Sequence, residues 1–99
     1  MGTSLKNAVF LVESRLRDAA RGSVQAYYEL GMVFSSGAEG ADVDLIEAHK
    51  WFNLAAMRGN ARAQECRAEV AEDMSAREIA AAQKAARAWL QRSAIRAAA

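Results

Sequence analysis

The chain contains no proline, one cysteine and almost no net charge. Each absence excludes something. Proline is the strongest helix breaker, so its absence removes the usual signal for ending a helix from within. Cys66 stands alone and cannot close an internal disulfide. A free cysteine behaves most often as a small buried apolar side chain, and that is the role expected of Cys66. The formal charge of +1, with acidic and basic residues interleaved, leaves no basic stripe for nucleic acid or for a membrane surface. No long apolar run exists either. The longest, Ala8 to Val12, falls well short of the ~20 residues needed to span a bilayer. Lys6 precedes that run, but Glu13 and Arg15 end it too early for a secretory core. Lys6 also replaces the Ser or Thr that a myristoylation site requires. A reducing, cytoplasmic setting is therefore expected, with neither membrane nor nucleic acid as partner.

What the chain does have is alanine, the best helix former, within a composition that is 53% hydrophobic and 25% charged. That balance marks a globular, all-α domain with one modest core. Helical spacing predicts five segments. The first runs from Ser4 to Arg21, with Leu5, Val9, Val12, Leu16 and Ala19 as its stripe, Ser4 as its cap and Gly22 as its stop. The second runs from Ser23 to Ser35 on Ala26, Leu30, Val33 and Phe34. Gly31 lies inside it, which costs about 1 kcal/mol relative to alanine and calls for a close helix approach. A turn region with Gly37 and Gly40 follows. Asp44 and Glu47 have capping-box spacing ahead of the third helix, Leu45 to Arg58. Its apolar face is Leu45, Ala48, Trp51, Phe52, Ala55 and Ala56. Gly59 ends it, and Asn60 caps a fourth helix, Ala61 to Asp73, with Ala63, Cys66, Val70 and Met74 inward. Ser75 and Glu78 form a second capping box before a fifth helix carrying Ile79, Ala82, Gln83, Ala86, Trp89 and Leu90. Links this short predict antiparallel hairpins.

The sequence also repeats itself. The segment Ala19 to Glu29 is similar to Ala56 to Cys66, with Gly22 matching Gly59 and Ala26 matching Ala63, 37 positions apart. A period of that length belongs to helical-hairpin solenoids. Ala26, Leu30, Gly31, Phe34, Gly37, Gly40, Asp44, Ala48, Trp51, Ala55, Ala56, Gly59 and Ala63 fall in the order of one unit of the SEL-one-like repeat family. These are relatives of the tetratricopeptide repeats. The segment Asn60 to Leu90 resembles the closing unit of bacterial members. The resemblance implies a short right-handed α-α solenoid of about five helices in a single domain. Residues 4–21 would be a degenerate half-repeat, 23–59 the full repeat and 60–96 a C-terminal capping hairpin. It also implies an adaptor or scaffold without enzymatic activity or cofactor, in a bacterial signalling or regulatory complex. Leu5 to Arg17 and the tail from Gln91 lie outside it.

Several residues invite a chemical reading. Glu47, His49 and Lys50 lie close in sequence. His49 lacks the further ligands that zinc requires and a nucleophile at helical spacing. It is expected to be a surface contact, not chemistry. Arg67 takes the core-facing place that Leu30 holds one repeat earlier, so it needs a polar partner inside the cap or a ligand. Gln83 is expected to satisfy backbone groups there. Val24, Tyr28 and Met32 occupy the side of the second helix that would line a concave surface, suited to a protein or peptide. Phe10 and Leu11 fall off the first helix's stripe, which raises the possibility of a homo-oligomer through that helix. Ile46 and Met57 project from the third helix as a smaller apolar pair. Two alternatives remain. One is a helix-turn-helix DNA binder built on Arg77, Arg87, Arg92 and Arg96, opposed by Glu69, Glu72, Asp73 and Glu78. The other is a small hydrolase using His49.

Overall fold

A computed structural model of the chain describes the backbone of residues 2–98 and the side chains of residues 7–96 other than Glu39. The fold is all-α, with five helices: α1 (Gly2–Ala20), α2 (Val24–Ser36), α3 (Leu45–Met57), α4 (Ala61–Ala71) and α5 (Ala76–Ala98). A single 3₁₀ turn, Ala38–Gly40, interrupts the link from α2 to α3.

Two of the turns are the same turn made twice. After α1, Arg21 N–H donates to Asp18 O (3.1 Å), Gly22 N–H to Ala19 O (2.9 Å) and Ser23 N–H to Asp18 O (3.1 Å). After α3, Arg58, Gly59 and Asn60 donate to Ala55, Ala56 and Ala55 at 3.1, 3.0 and 3.1 Å. Gly22 and Gly59 have φ of 87° and 93°, the left-handed region that L-residues avoid. The next residue then caps the following helix. Ser23 Oγ accepts from Ala26 N–H, and Asn60 Oδ1 accepts from Ala63 N–H. The sequence repeat is thus repeated backbone geometry.

Helix α3 is the centre of the molecule. It packs against α2, α4 and α5, while α1 packs against α2. Alanines make this close packing possible: Ala48, Ala55, Ala63 and Ala82 are fully buried. Between them, Trp51 stacks on Tyr27 of α2 (centroids 5.9 Å apart) and meets Trp89 of α5 edge-on at 4.9 Å. Such pairs contribute about 0.5–1.5 kcal/mol each beyond the area they bury. Gly31 has the expected reason to be glycine: a Cβ there would lie 2.4 Å from the Phe52 ring. The Arg15–Glu29 ion pair ties α1 to α2.

The helices depart from their predicted form in five places. First, α1 begins at Gly2, so Ser4 lies inside it rather than capping it. Second, its buried stripe is Ala8, Val12, Leu16 and Ala19, and Val9 is 48% exposed. One residue's difference in phase turns Val9 out and Ala8 in; Leu5's side chain lies outside the described residues. Third, the Asp44 capping box is half made. Asp44 Oδ1 accepts from Glu47 N–H at 3.1 Å, but the Glu47 carboxylate accepts from Trp51 Nε1 and pairs with Lys50 instead. The Ser75–Glu78 box, by contrast, closes in both directions. Fourth, α4 and α5 barely approach one another. Ala82, Ala86 and Trp89 carry α5 onto α3, where the aromatic cluster is. Fifth, Gln83 is consequently exposed and satisfies no backbone group inside a cap.

Candidate functional site

Because α2 and α4 both flank α3 without packing on each other, a groove of about 340 Å³ opens between them. Its floor is Leu45 and Phe52, two turns apart on one face of α3. Met32 and Ser35 form one wall, Cys66 and Val70 the other. Met32 is 40% exposed. Tyr28 stands at the shoulder, its ring tilted against Phe52 at 6.0 Å. Charge is confined to the rim. At one end Arg62 pairs with Glu65 at 3.5 Å, and the Tyr28 hydroxyl foremost raises its guanidinium pKa. At the other end lie Glu69 on α4 and Asp73 in the turn that follows it. Burial first, then the Glu69 carboxylate, pushes the Cys66 thiol up from its ordinary value, so it stays protonated and apolar.

Of the residues expected on the concave side, Met32 lines the groove and Tyr28 borders it. Val24, in the first turn of α2, packs against the core instead. Leu45 and the charged rim were not anticipated as surface; Phe52, 1% exposed, stays buried beneath the groove. The spacing of Leu45 and Phe52 identifies a buried face but cannot tell a core from a groove floor. Phe10 and Leu11 lie on α1 well away from this groove, Phe10 70% exposed and Leu11 half-buried. Beside them a second, shallower groove is lined by Ala8, Val9, Val12, Phe34 and Ala41. Ile46 is half-buried and Met57 is 60% exposed.

The polar residues of α3 do not converge. Lys50 Nζ lies 3.0 Å from Glu47 and 4.4 Å from the Trp51 ring, a buried cation held by a carboxylate and a π face. His49 points about 200° round the helix from Glu47, toward α4. It is not the surface contact expected: it is 4% exposed, and Nδ1 has no hydrogen-bond partner among the described residues. The close packing of α4 on α3 covers it. Burial foremost, and then the Arg67 charge, lowers its pKa below the usual 6.5. Arg67 finds an amide rather than a carboxylate, donating from Nη1 to Asn53 Oδ1 at 2.6 Å. Among the described residues no three His, Cys, Asp or Glu side chains are grouped to hold a metal. No described helix is long and apolar enough to cross a membrane.

The structure therefore defines a small all-α protein in which a groove with an apolar floor and a charged rim opens over α3. Comparison with known protein families, curated proteins and solved structures finds no match to the chain.

Proposed function

We propose that the chain is a non-enzymatic interaction module, an adaptor or scaffold that holds another protein or peptide in the groove between α2 and α4. The groove is the observation that carries this reading. Its sulfur-bearing and aromatic side chains surrounded by a polar rim match the composition of protein interfaces. The resemblance to SEL-one-like repeats supports it, and so does the turn repeated at Gly22 and Gly59. A bacterial signalling or regulatory complex in the cytoplasm is the setting we assign, on that resemblance. Photo-crosslinking in the host tests the reading, with benzoylphenylalanine at Met32 and, outside the groove, at Met57. The same protein captured from position 32 and absent from position 57 supports the groove. Equal capture at both positions, or none at either, sinks it.

A second reading rests on α1. Phe10, 70% exposed, protrudes from α1, and the apolar groove of Val9, Val12 and Phe34 is a recess between α1 and α2. Two copies related by a dyad would each fill the other's recess. Sedimentation of the wild-type chain and of Phe10→Asp decides: an identical monomeric profile for both removes the dimer.

A further inference from the structure

We propose that Arg67, together with Asn53 and His49, is a recognition point for a carboxylate presented by an acidic protein segment. The point is separate from the groove, whose lining does not include Arg67.

Three observations meet here. The first is a charge without a counter-charge. Arg67 sits where Leu30 is fully buried one repeat earlier, and it is itself half-buried. The ion pairs among the described residues are Arg15–Glu29, Lys50–Glu47 and Arg62–Glu65, and none engages Arg67. Asn53 satisfies one of the five guanidinium donors but none of its charge. A guanidinium drawn partly out of water gains most from a carboxylate partner.

The second is His49, one turn from Asn53 on α3. It is 4% exposed with Nδ1 unpartnered, although buried polar atoms are nearly always bonded. Its neutral form is favoured by burial and by the neighbouring Arg67 charge.

The third is access. Helices α4 and α5 barely approach one another, and Arg67 is only half-buried, so solvent reaches part of its side chain. A carboxylate is the complementary group. It accepts two parallel guanidinium hydrogen bonds and carries one negative charge against one unpaired cation. A phosphate dianion would leave one charge over.

His49 is the chain's only histidine, so its imidazole protons give one unambiguous pair of resonances. The test is proton NMR of the wild-type chain titrated with poly-L-glutamate, and separately with glutarate at equal carboxylate concentration. Poly-L-glutamate is expected to shift the His49 resonances and move its titration midpoint upward. Arg67→Met is expected to weaken that response at least about tenfold, the loss of one charged hydrogen-bonded contact. Arg77→Met, at an exposed site on α5, is expected to leave it unchanged. Should Arg67→Met fail to fold, Asn53→Asp supplies an internal carboxylate. That variant is expected to raise the His49 midpoint without any ligand and to abolish the poly-L-glutamate response. Overturning results are a His49 signal unmoved by poly-L-glutamate, a response equal in Arg67→Met, or an Asn53→Asp variant that still responds. An equal response to glutarate overturns the assignment to a protein segment. A variant at Met32 disturbs only the groove, so failure of this site and failure of the proposed function are separately visible.

Discussion

Gly31→Ala separates local preference from packing, because the two have opposite signs. In an open helix interior this substitution stabilises by about 1 kcal/mol, since glycine loses more backbone freedom on folding. Gly31 is not in the open. A Cβ there would lie 2.4, 2.5 and 2.9 Å from Cδ1, Cε1 and Cγ of Phe52. Carbon atoms in contact prefer about 3.5–4.0 Å, so the ring would have to retreat by roughly 1 Å. It has little room to do so. Phe52 is 1% exposed and already lies against Tyr28. Overpacking costs about 1–3 kcal/mol, and a confined aromatic ring belongs at the top of that range. The expected net effect is a loss of about 2 kcal/mol, or about 8–16 °C in Tm for a domain of this size.

Thermal and urea denaturation followed by circular dichroism at 222 nm measure the effect. A double-mutant cycle with Phe52→Leu tests its cause. With the ring removed, Gly31→Ala should return to its intrinsic gain of about 1 kcal/mol, a coupling of about 3 kcal/mol between the two sites. Additive behaviour, or a Gly31→Ala variant that melts higher than wild type, would refute the close approach of α2 and α3 at this point.

Three further predictions follow the same measurements. Gly22→Ala and Gly59→Ala meet no atom within 4 Å, so each should cost only the left-handed backbone term of about 1–2 kcal/mol, and a larger loss at either would point to contacts the turn does not have. Ser75→Ala removes an Oγ that accepts from Glu78 N–H at 3.1 Å and should lower stability by about 1 kcal/mol in urea melts, whereas an unchanged midpoint would mean that α5 needs no cap. His49 has a lowered folded-state pKa, so the unfolded chain binds the proton more readily, and stability should fall as pH drops below the unfolded value of 6.5 toward the folded one. The His49→Gln variant should flatten this dependence in urea melts across that window, and a slope identical to wild type would assign the effect to another group.

The fold was legible wherever one residue has one physical use. Gly22, Gly31 and Gly59 each announce a constraint that no other residue meets, and each is where the spacing put it. Asn60 and Ser75 read as caps because their side-chain oxygens reach the N–H three residues on, and Ser23, expected as the first residue of its helix, caps it in the same way. Ambiguity entered where two partners compete for one group. Glu47 has capping-box spacing from Asp44, but a buried lysine and an indole N–H are stronger claims on its carboxylate. Gln83 has core spacing on α5, but that spacing assumes a helix on both sides, and α5 turns its alanines to α3 alone. The groove was half legible for the same reason. Met32 and Tyr28 sit off the stripe of α2 and so read as surface. Leu45 and Phe52 sit on the stripe of α3, and only the separation of α2 from α4 leaves a groove above them.

The two copies of the repeated turn show where the chain departs from its own pattern. From Asp18 to Ala26 and from Ala55 to Ala63 the backbone hydrogen bonds, the left-handed glycine and the capping oxygen recur. One turn further on, the copies diverge: Leu30 is fully buried, while Arg67 is half-buried and bonded to Asn53. A leucine at that position drives a helix into a core, because burying it is worth about 1.5–3 kcal/mol. An arginine resists the same burial unless a charge meets it. The arginine thus favours a second unit that stays open on the α4 side, consistent with α5 leaning on α3 rather than on α4. At this position the first unit holds a buried leucine and the second a half-buried cation, the one that the proposed carboxylate would neutralise.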